Sequence, residues 1–221
     1  TLLSNPIDFQ FDALRNLFCI TRYVVLSVRH DHTWRLTRHK EQGMKGIVMN
    51  ILAEMVETQL GLNEWNEVLE EADESGIYTA TAIYEDARLL NLVGIISQRN
   101  SIPASDLVFA FGQFMFPAFY QRYPQLIDGH ANMLDFLESL DSVIHVEVVK
   151  LYPGAITPGF EPDRRSDEQL FLKYESDRNL CRLAEGLIDG AASHFGHDYT
   201  IAHEPCAHHG ADHCGLLVSL T

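Results

Sequence analysis

The amino-acid sequence predicts an α+β fold, in which a helical N-terminal part is followed by a C-terminal part that contains an antiparallel β-sheet. From Met44 to about Pro158, apolar residues recur at intervals of three and four, which is the period of helices. After Pro162 the apolar period shifts toward two, which is the period of strands. Because a run of helices precedes the strands instead of alternating with them, the pattern indicates α+β rather than α/β.

Successive helices are predicted in the first part, each with an apolar face and recognisable end signals. Gly61 ends the first helix, and Asn63 is expected to cap the second. Pro103 and Ser105 open the fourth helix, and Pro124 stops it. The predicted segments are residues 48–60, 64–72, 86–99, 106–123 and a fifth from about residues 129–131, which leads into the helix around residue 145.

The fourth predicted helix, DLVFAFGQFMFPAFYQRY, is aromatic and apolar on most of its faces. A helix with that composition is either wholly buried or lines an apolar cavity. The sequence therefore predicts an internal position for it and leaves both alternatives open.

The second part is predicted to contain three strands and one helix. QLFLKYES is typical of a strand, and DYTIAHEPC and CGLLVSL are predicted to pair antiparallel across the loop CAHHGADHC. Between them, CRLAEGLIDGAASHF is predicted as a helix whose small residues allow a close approach to a neighbour: Gly186, Gly190, Ala191 and Ala192.

One histidine, His145, stands in the otherwise aliphatic stretch Asp141 to Pro158. A helix with apolar residues on nearly every face is expected to be buried all round. A buried imidazole needs a partner, which can be a backbone carbonyl, a carboxylate or a metal. In isolation, such a histidine is more often a satisfied core residue than a metal ligand.

Three donors follow one another in KYESDRNL: Tyr174, Ser176 and Arg178. If this segment is extended, residues two apart lie on one face, and two hydroxyls and a guanidinium converge there. Such a face is suited to binding carboxylates, because Arg can hold one of them bidentately. The same spacing is also common in solvated surface strands.

The three cysteines after Met44, together with one histidine, have the composition of a closed zinc site. His208, His209 and His213 are alternatives for the imidazole ligand, and free thiols beside surface histidines remain the simpler interpretation. A closed site would have no open position for hydrolysis. The predicted ligands are Cys181, His203, Cys206 and Cys214.

The overall charge excludes some classes of function. Sixteen Lys and Arg against 31 Asp and Glu give a formal net charge of −15, which repels nucleic acid and anionic lipid. No run of about 18 uncharged apolar residues exists, and the first residues lack the positive start of a signal peptide. We therefore expect a cytoplasmic protein that binds neither nucleic acid nor membrane.

Residues 1–43 differ in charge from the rest. They hold six basic and four acidic residues, so residues 44–221 hold ten basic and 27 acidic ones. We expect Met44 to be the native start and residues 1–43 to be an extension, unless they are a genuine but poorly ordered segment. N-terminal sequencing of protein made from the natural gene would test this expectation.

These motifs together resemble one family. HVEVVKLYPGA after an apolar helix, YESDR thirty residues later, an initial MKG and the Cys/His/Cys/Cys set are similar to the haem nitric oxide/oxygen binding (H-NOX) domain, in its stand-alone, zinc-containing bacterial form. The resemblance covers residues 44–221. It implies haem b (iron-protoporphyrin IX) bound between the helical and the sheet-containing subdomain.

The resemblance also implies roles for single residues. His145 matches the proximal haem ligand, and Tyr174, Ser176 and Arg178 match the clamp for the haem propionates. Val48 and Pro158 match positions that press on the porphyrin. The cysteines and His203 match the zinc ligands of the bacterial subgroup.

Leu183 determines the expected choice of gas. Family members that store oxygen place a tyrosine there, whose hydroxyl stabilises bound dioxygen, and leucine cannot donate. Leu52 and Met115 are apolar at other expected distal positions. We therefore expect nitric oxide and carbon monoxide to bind ferrous haem, without a stable oxygen complex in air.

The resemblance implies a sensor rather than an enzyme. Nitric oxide would weaken the bond between iron and His145 and change the conformation. The signal would pass to a separate sensor histidine kinase or to a diguanylate cyclase or phosphodiesterase. A zinc and thiol redox switch at Cys181, Cys206 and Cys214 remains an alternative. A peroxidase-like enzyme is disfavoured, because it would need a polar distal group.

Overall fold

The computed structural model describes residues 43–221, and the predicted extension up to residue 42 lies outside the described residues. Helices dominate the first part and an antiparallel sheet the second, so the α+β prediction is confirmed. In chain order, the helices are α1 (Gly46–Gln59), α2 (Leu62–Ala72), α3 (Asp86–Asn100), α4 (Ala104–Arg122), α5 (Met133–Glu138), α6 (His145–Leu151) and α7 (Cys181–Phe195). The strands are β1 (Met44–Lys45), β2 (Ile83–Tyr84), β3 (Gly159–Ser166), β4 (Gln169–Glu175), β5 (Tyr199–His203) and β6 (Cys214–Leu220).

The main sheet has the strand order β3-β4-β6-β5, with every pair antiparallel. Strand β3 was missing from the sequence prediction, because only Phe160 of its side chains is buried and no apolar alternation marks it. The predicted pairing of the last two strands is confirmed, and Ala202 lies opposite Leu217. The small pair β1-β2 brings Met44 opposite Tyr84.

Two helix starts differ from their prediction. Asn63 lies inside α2, and the cap position is taken by Gly61, whose φ of 96° is accessible to glycine without strain. Helix α5 starts later than predicted, because the Asn132 side chain accepts a hydrogen bond from the backbone N–H of Asp135 at 3.0 Å.

Helix α4 crosses α7 at backbone contact distance. A Cβ atom added to Gly112 would lie 2.8 Å from the Cα of Gly186, so neither position can carry a side chain without moving the helices. A Cβ added to Gly190 would likewise collide with Phe116. The predicted close approach of the small-residue face of α7 is therefore confirmed.

The sequence predicted that the segment around His145 is buried all round, and this prediction is wrong. A π-helical turn at Leu140–Ile144 leads directly into α6, and Val143 and Val146 are 46% and 45% exposed. Ile144 faces the interior, while Val143 and Val146 face outward. The helix therefore lies at the surface, and tertiary packing rather than composition determines which side is covered.

Buried side chains form two clusters, one among α1–α4 and one between α5, α7 and the sheet. Helix α4 contributes to both, with Met115 in the first cluster and Phe116 in the second. In residues 43–221, no single helix is long and apolar enough to span a membrane; α3 and α4, bent by 113° at their break, pass that test only as a pair.

Candidate functional site

A cavity of about 280 Å³ lies where the two clusters meet, near the lower end of the range for small-molecule sites. Its wall comes from α1, α4, the π-helical turn with α6, the segment before β3, and α7. Of the two alternatives for the aromatic helix α4, the structure shows the second, because Met115, Phe116 and Phe119 face this cavity. All seven residues predicted to hold the cofactor line it: Val48, His145, Pro158, Tyr174, Ser176, Arg178 and Leu183.

His145 begins α6 at the edge of the cavity, and its side chain is 16% exposed. Its Nδ1 lies 3.1 Å from the carboxylate of Asp141, one helical turn earlier. Because Nδ1 faces Asp141, Nε2 is the ring nitrogen available to a ligand. Sequence reasoning did not assign Asp141, although the spacing of four residues within a helix was a usable signal.

The three predicted donors reach the cavity by a different geometry from the expected one. Strand β4 ends at Glu175, so Ser176 and Arg178 lie in the following turn and not on one face of a strand. The Ser176 hydroxyl accepts a hydrogen bond from the backbone N–H of Arg178 at 3.2 Å and stabilises this turn. Tyr174 is 4% exposed, and burial raises the pKa of its hydroxyl, which is therefore neutral at pH 7.

Arg178 is held by three other parts of the chain. Its Nε donates to Asp86 at 2.8 Å, Nη1 to the carbonyl of Ile156 at 2.9 Å, and Nη2 to the carbonyl of Gly43 at 2.9 Å. One N–H on each of Nη1 and Nη2 remains for a further acceptor. An adjoining cleft of about 440 Å³ shares Ser176 and Arg178 with the cavity, so the guanidinium lies between the apolar interior and a polar opening.

Two further hydroxyls line the cavity and were missed by sequence reasoning. The hydroxyls of Tyr123, after α4, and Tyr152, after α6, lie 2.5 Å apart, and their rings pack edge to face. Tyr152 is 6% exposed, and burial raises its pKa far above the ordinary value. Among the other expected distal positions, Met115 lines the cavity, whereas Leu52 is fully buried beside it and is not part of the lining.

Cys181, His203, Cys206 and Cys214 come together, with one potential ligand atom of each within 4.8 Å of the others. The sulfurs of Cys206 and Cys214 are 3.9 Å apart, close to the roughly 3.8 Å between two sulfurs on a tetrahedral zinc. Nε2 of His203 is buried and has no hydrogen-bond partner. A cation at the centre of the cluster would satisfy that nitrogen, so the donor set fits a metal.

The thiols of Cys181 and Cys214 are neutral at pH 7 unless a cation is present. Burial, followed by the neighbouring Cys214, raises the pKa of Cys181 to about 12, and burial also raises the pKa of Cys214. Two of the alternative histidines have other partners, because His208 Nε2 lies 2.8 Å from the carbonyl of Asn179 and His213 Nδ1 lies 2.5 Å from Asp212.

A model of one protein family, Haem-NO-binding, matches residues 45–203. The chain belongs to the Haem-NO-binding (H-NOX) family. Domains of this family bind haem and sense gases. The cavity fits such a group, since it combines an apolar wall with one accessible imidazole and an arginine at its polar mouth.

Solved H-NOX structures have the same fold. The H-NOX protein from Shewanella oneidensis in its Fe(II)NO state is 38% identical with a TM-score of 0.77, and the alignment covers 80% of this chain and 99% of that one. The unliganded Fe(II) H-NOX protein from K. algicida is 25% identical with a TM-score of 0.74, covering 80% of this chain and 97% of that one.

A curated relative, the human guanylate cyclase soluble subunit beta-2, is 34% identical over 77 residues. The match covers 34% of this chain and 12% of that subunit, so the chain spans about an eighth of its length.

Proposed function

We propose that this H-NOX domain is a nitric oxide sensor in which His145 ligates the iron of haem b. The supporting observation is that all seven predicted cofactor residues surround one apolar cavity, with a single predicted imidazole ligand among them. Haem held there by His145 would supply an iron that binds a diatomic gas. Carbon monoxide is expected to bind as well.

Different residues of the cavity would bind different parts of the haem. Arg178 retains N–H donors on Nη1 and Nη2 at the polar mouth, and with the hydroxyls of Tyr174 and Ser176 it would bind the two propionates. Val48, on α1, and Pro158, just before β3, contribute apolar surface to the wall. Asp141 accepts from Nδ1 of His145 and so orients the imidazole toward the interior.

His145 is also the first residue of α6, which has one exposed side and follows directly on a π-helical turn. A helix with few covering side chains moves more easily than a core helix. His145 bound to the haem would restrain α6 at its first residue, and without that restraint α6 would be free to shift. We propose that this shift regulates a separate partner, a sensor histidine kinase or a diguanylate cyclase or phosphodiesterase, through the acidic surface.

The visible spectrum of the purified full-length chain tests the haem and gas assignments. We expect a haem-containing protein whose reduced form changes its spectrum with nitric oxide and with carbon monoxide, but forms no lasting oxygen complex in air. His145→Ala should lose the spectrum of the imidazole-ligated protein and recover it with added imidazole. His194→Ala, which removes an imidazole that does not line the cavity, is the control.

A second function is favoured by the cysteine cluster. Cys181, Cys206 and Cys214 lie close enough to share zinc, and oxidation of any of them would release the metal. This zinc and thiol redox sensor is compatible with gas sensing in the same chain. A protein that contains zinc but no haem absorption would favour the redox function, whereas zinc that stays bound after peroxide treatment would argue against it.

A further inference from the structure

Glu185 is a buried carboxylate that no step of gas sensing uses. It lies in the middle of α7 and is 6% exposed. A buried carboxylate is costly unless it is paired and hydrogen-bonded. Its two oxygens have separate partners: Oε2 accepts from Arg182, and Oε1 contacts Nδ1 of His203.

The contact between Glu185 and His203 determines which imidazole nitrogen is available. An ionised carboxylate paired with Arg182 only accepts, so Nδ1 of His203 carries the proton and donates it. Nε2 is then the unprotonated nitrogen, and it is the buried atom without a hydrogen-bond partner in the cysteine cluster. Nε2 of a histidine held in this way is a typical metal ligand.

The Glu185 side chain is held in place through Arg182, which in turn contacts helix α4. Arg182, one turn earlier on α7, places its guanidinium over the ring of Phe109 of α4, with 4.7 Å between the guanidinium carbon and the ring centroid. The close crossing at Gly112 and Gly186 fixes the distance between these two helices. The carboxylate therefore cannot follow His203 if strand β5 moves.

We propose that Glu185 is the positioning residue of the metal site and that it presents Nε2 of His203 to the three cysteine sulfurs, with Arg182 anchoring the carboxylate. This inference rests on the proposal that the cluster binds zinc. It predicts that Glu185 determines the affinity for zinc without touching the ion.

Asp189 offers a matched control. It lies one turn after Glu185 on α7 and also connects the helix to β5, because the Tyr199 hydroxyl donates to its Oδ1 at 2.7 Å. Its other oxygen accepts from Gln113 at 2.6 Å, and neither oxygen contacts a predicted ligand. Asp189→Asn therefore perturbs a comparable link between α7 and β5 away from the cluster.

The test measures zinc affinity of the full chain by competition with a chromophoric chelator at one fixed pH. Glu185→Ala should weaken zinc binding by about 10–100-fold. Glu185→Gln, which keeps an oxygen acceptor for Nδ1, should recover most of the loss, and Asp189→Asn should stay within about twofold of the parent protein. If Glu185→Ala does not fold, Glu185→Met, which keeps the length of the side chain without an acceptor, replaces it.

A second readout separates positioning from a general structural effect. Proton–nitrogen correlation spectra of the metal-free parent should show neutral His203 protonated on Nδ1, and this preference should be lost in Glu185→Ala. Zinc affinity within about twofold of the parent, with Nδ1 still protonated, would overturn the positioning role while leaving the metal site intact. If the parent binds zinc no more tightly than Cys214→Ser, the metal site fails and the positioning role with it.

Discussion

At the scale of single residues, we propose that Leu183 determines which gases the cavity binds. It lies on the cavity-facing side of α7, where an aliphatic side chain supplies no hydrogen-bond donor. The hydroxyls of Tyr123 and Tyr152, which also line the cavity, are hydrogen-bonded to each other. We therefore propose that the choice of gas depends on whether position 183 supplies a hydrogen-bond donor.

Leu183→Tyr should give the reduced protein a lasting oxygen complex in air, because the phenol can donate to bound dioxygen. Visible spectra recorded over time after aerobic reduction measure this effect. Leu183→Phe is the control for size, because it adds the ring without the hydroxyl. An oxygen complex equally stable in both variants would contradict the role of the donor.

At the scale of elements, the C-terminal end of α6 is tied to the helical part of the molecule by polar contacts. Lys45 of β1 is 7% exposed and donates from Nζ to the carbonyls of Pro153, at 2.7 Å, and Thr81, at 2.9 Å. The Tyr123–Tyr152 pair makes a second connection next to it. These contacts hold the far end of the helix that begins with His145.

Tyr152→Phe should lower the free energy of unfolding by about 1–3 kcal/mol, because it leaves the Tyr123 hydroxyl without its buried partner. Urea unfolding of both single variants and of the double variant measures the coupling. We expect the double variant to cost less than the sum of the single ones. Strict additivity would show that the two hydroxyls do not stabilise each other.

The ion pair between Glu74, after α2, and Arg88, on α3, makes stability depend on pH. The Arg88 side chain binds both carboxylate oxygens, with Nε 2.6 Å from Oε1, and lies over the rings of Tyr78 and Tyr84. Hydrogen bonds from Arg88 lower the pKa of Glu74 below its ordinary value. A lowered pKa in the folded state adds stability above the ordinary value, and that stability is lost as the pH falls through the folded-state pKa.

Glu74→Gln should therefore cost about 1.5–3 kcal/mol near pH 7, and the cost should fall as the pH drops through the folded-state pKa of Glu74, because the parent then loses the charge as well. Chemical unfolding over a series of pH values from 7 downward measures this change. Glu71→Gln is the control, because its side chain is 49% exposed and its contact with Arg99 is 3.5 Å long. A cost for Glu74→Gln that does not change with pH would argue against the charged pair.

At the scale of the whole molecule, the cavity, the cysteine cluster and the sheet all lie within residues 43–221. We propose that residues 44–221 are sufficient for haem binding. A chain that starts at Met44 loses the carbonyl of Gly43, which accepts from Nη2 of Arg178. That nitrogen then has one more N–H for a carboxylate, so propionate binding should be preserved.

The spectrum and the haem stoichiometry of a chain beginning at Met44 should equal those of the full chain. Parallel haem titrations of the two proteins measure this. Failure of the shorter chain to take up haem, with an intact far-ultraviolet circular dichroism spectrum, would show that earlier residues contribute to the site.

Helix α7 links the two candidate sites across the molecule. Cys181 and Glu185 face the cysteine cluster, whereas Leu183 and Leu187 line the cavity. The two candidate sites therefore share one helix, which is packed against α4 without intervening side chains at Gly112 and Gly186.

The sequence by itself determined the α+β class, most of the helices, the tight crossing of α7, and the residue types that surround the cavity. These properties depend on local periodicity and on residue chemistry, which a linear pattern contains. Tertiary structure alone decided that α6 lies at the surface and that Ser176 and Arg178 reach the cavity from a turn. It also decided the contacts of Glu185 with His203 and of Tyr152 with Tyr123, because these contacts join residues far apart in the chain and no local pattern encodes them.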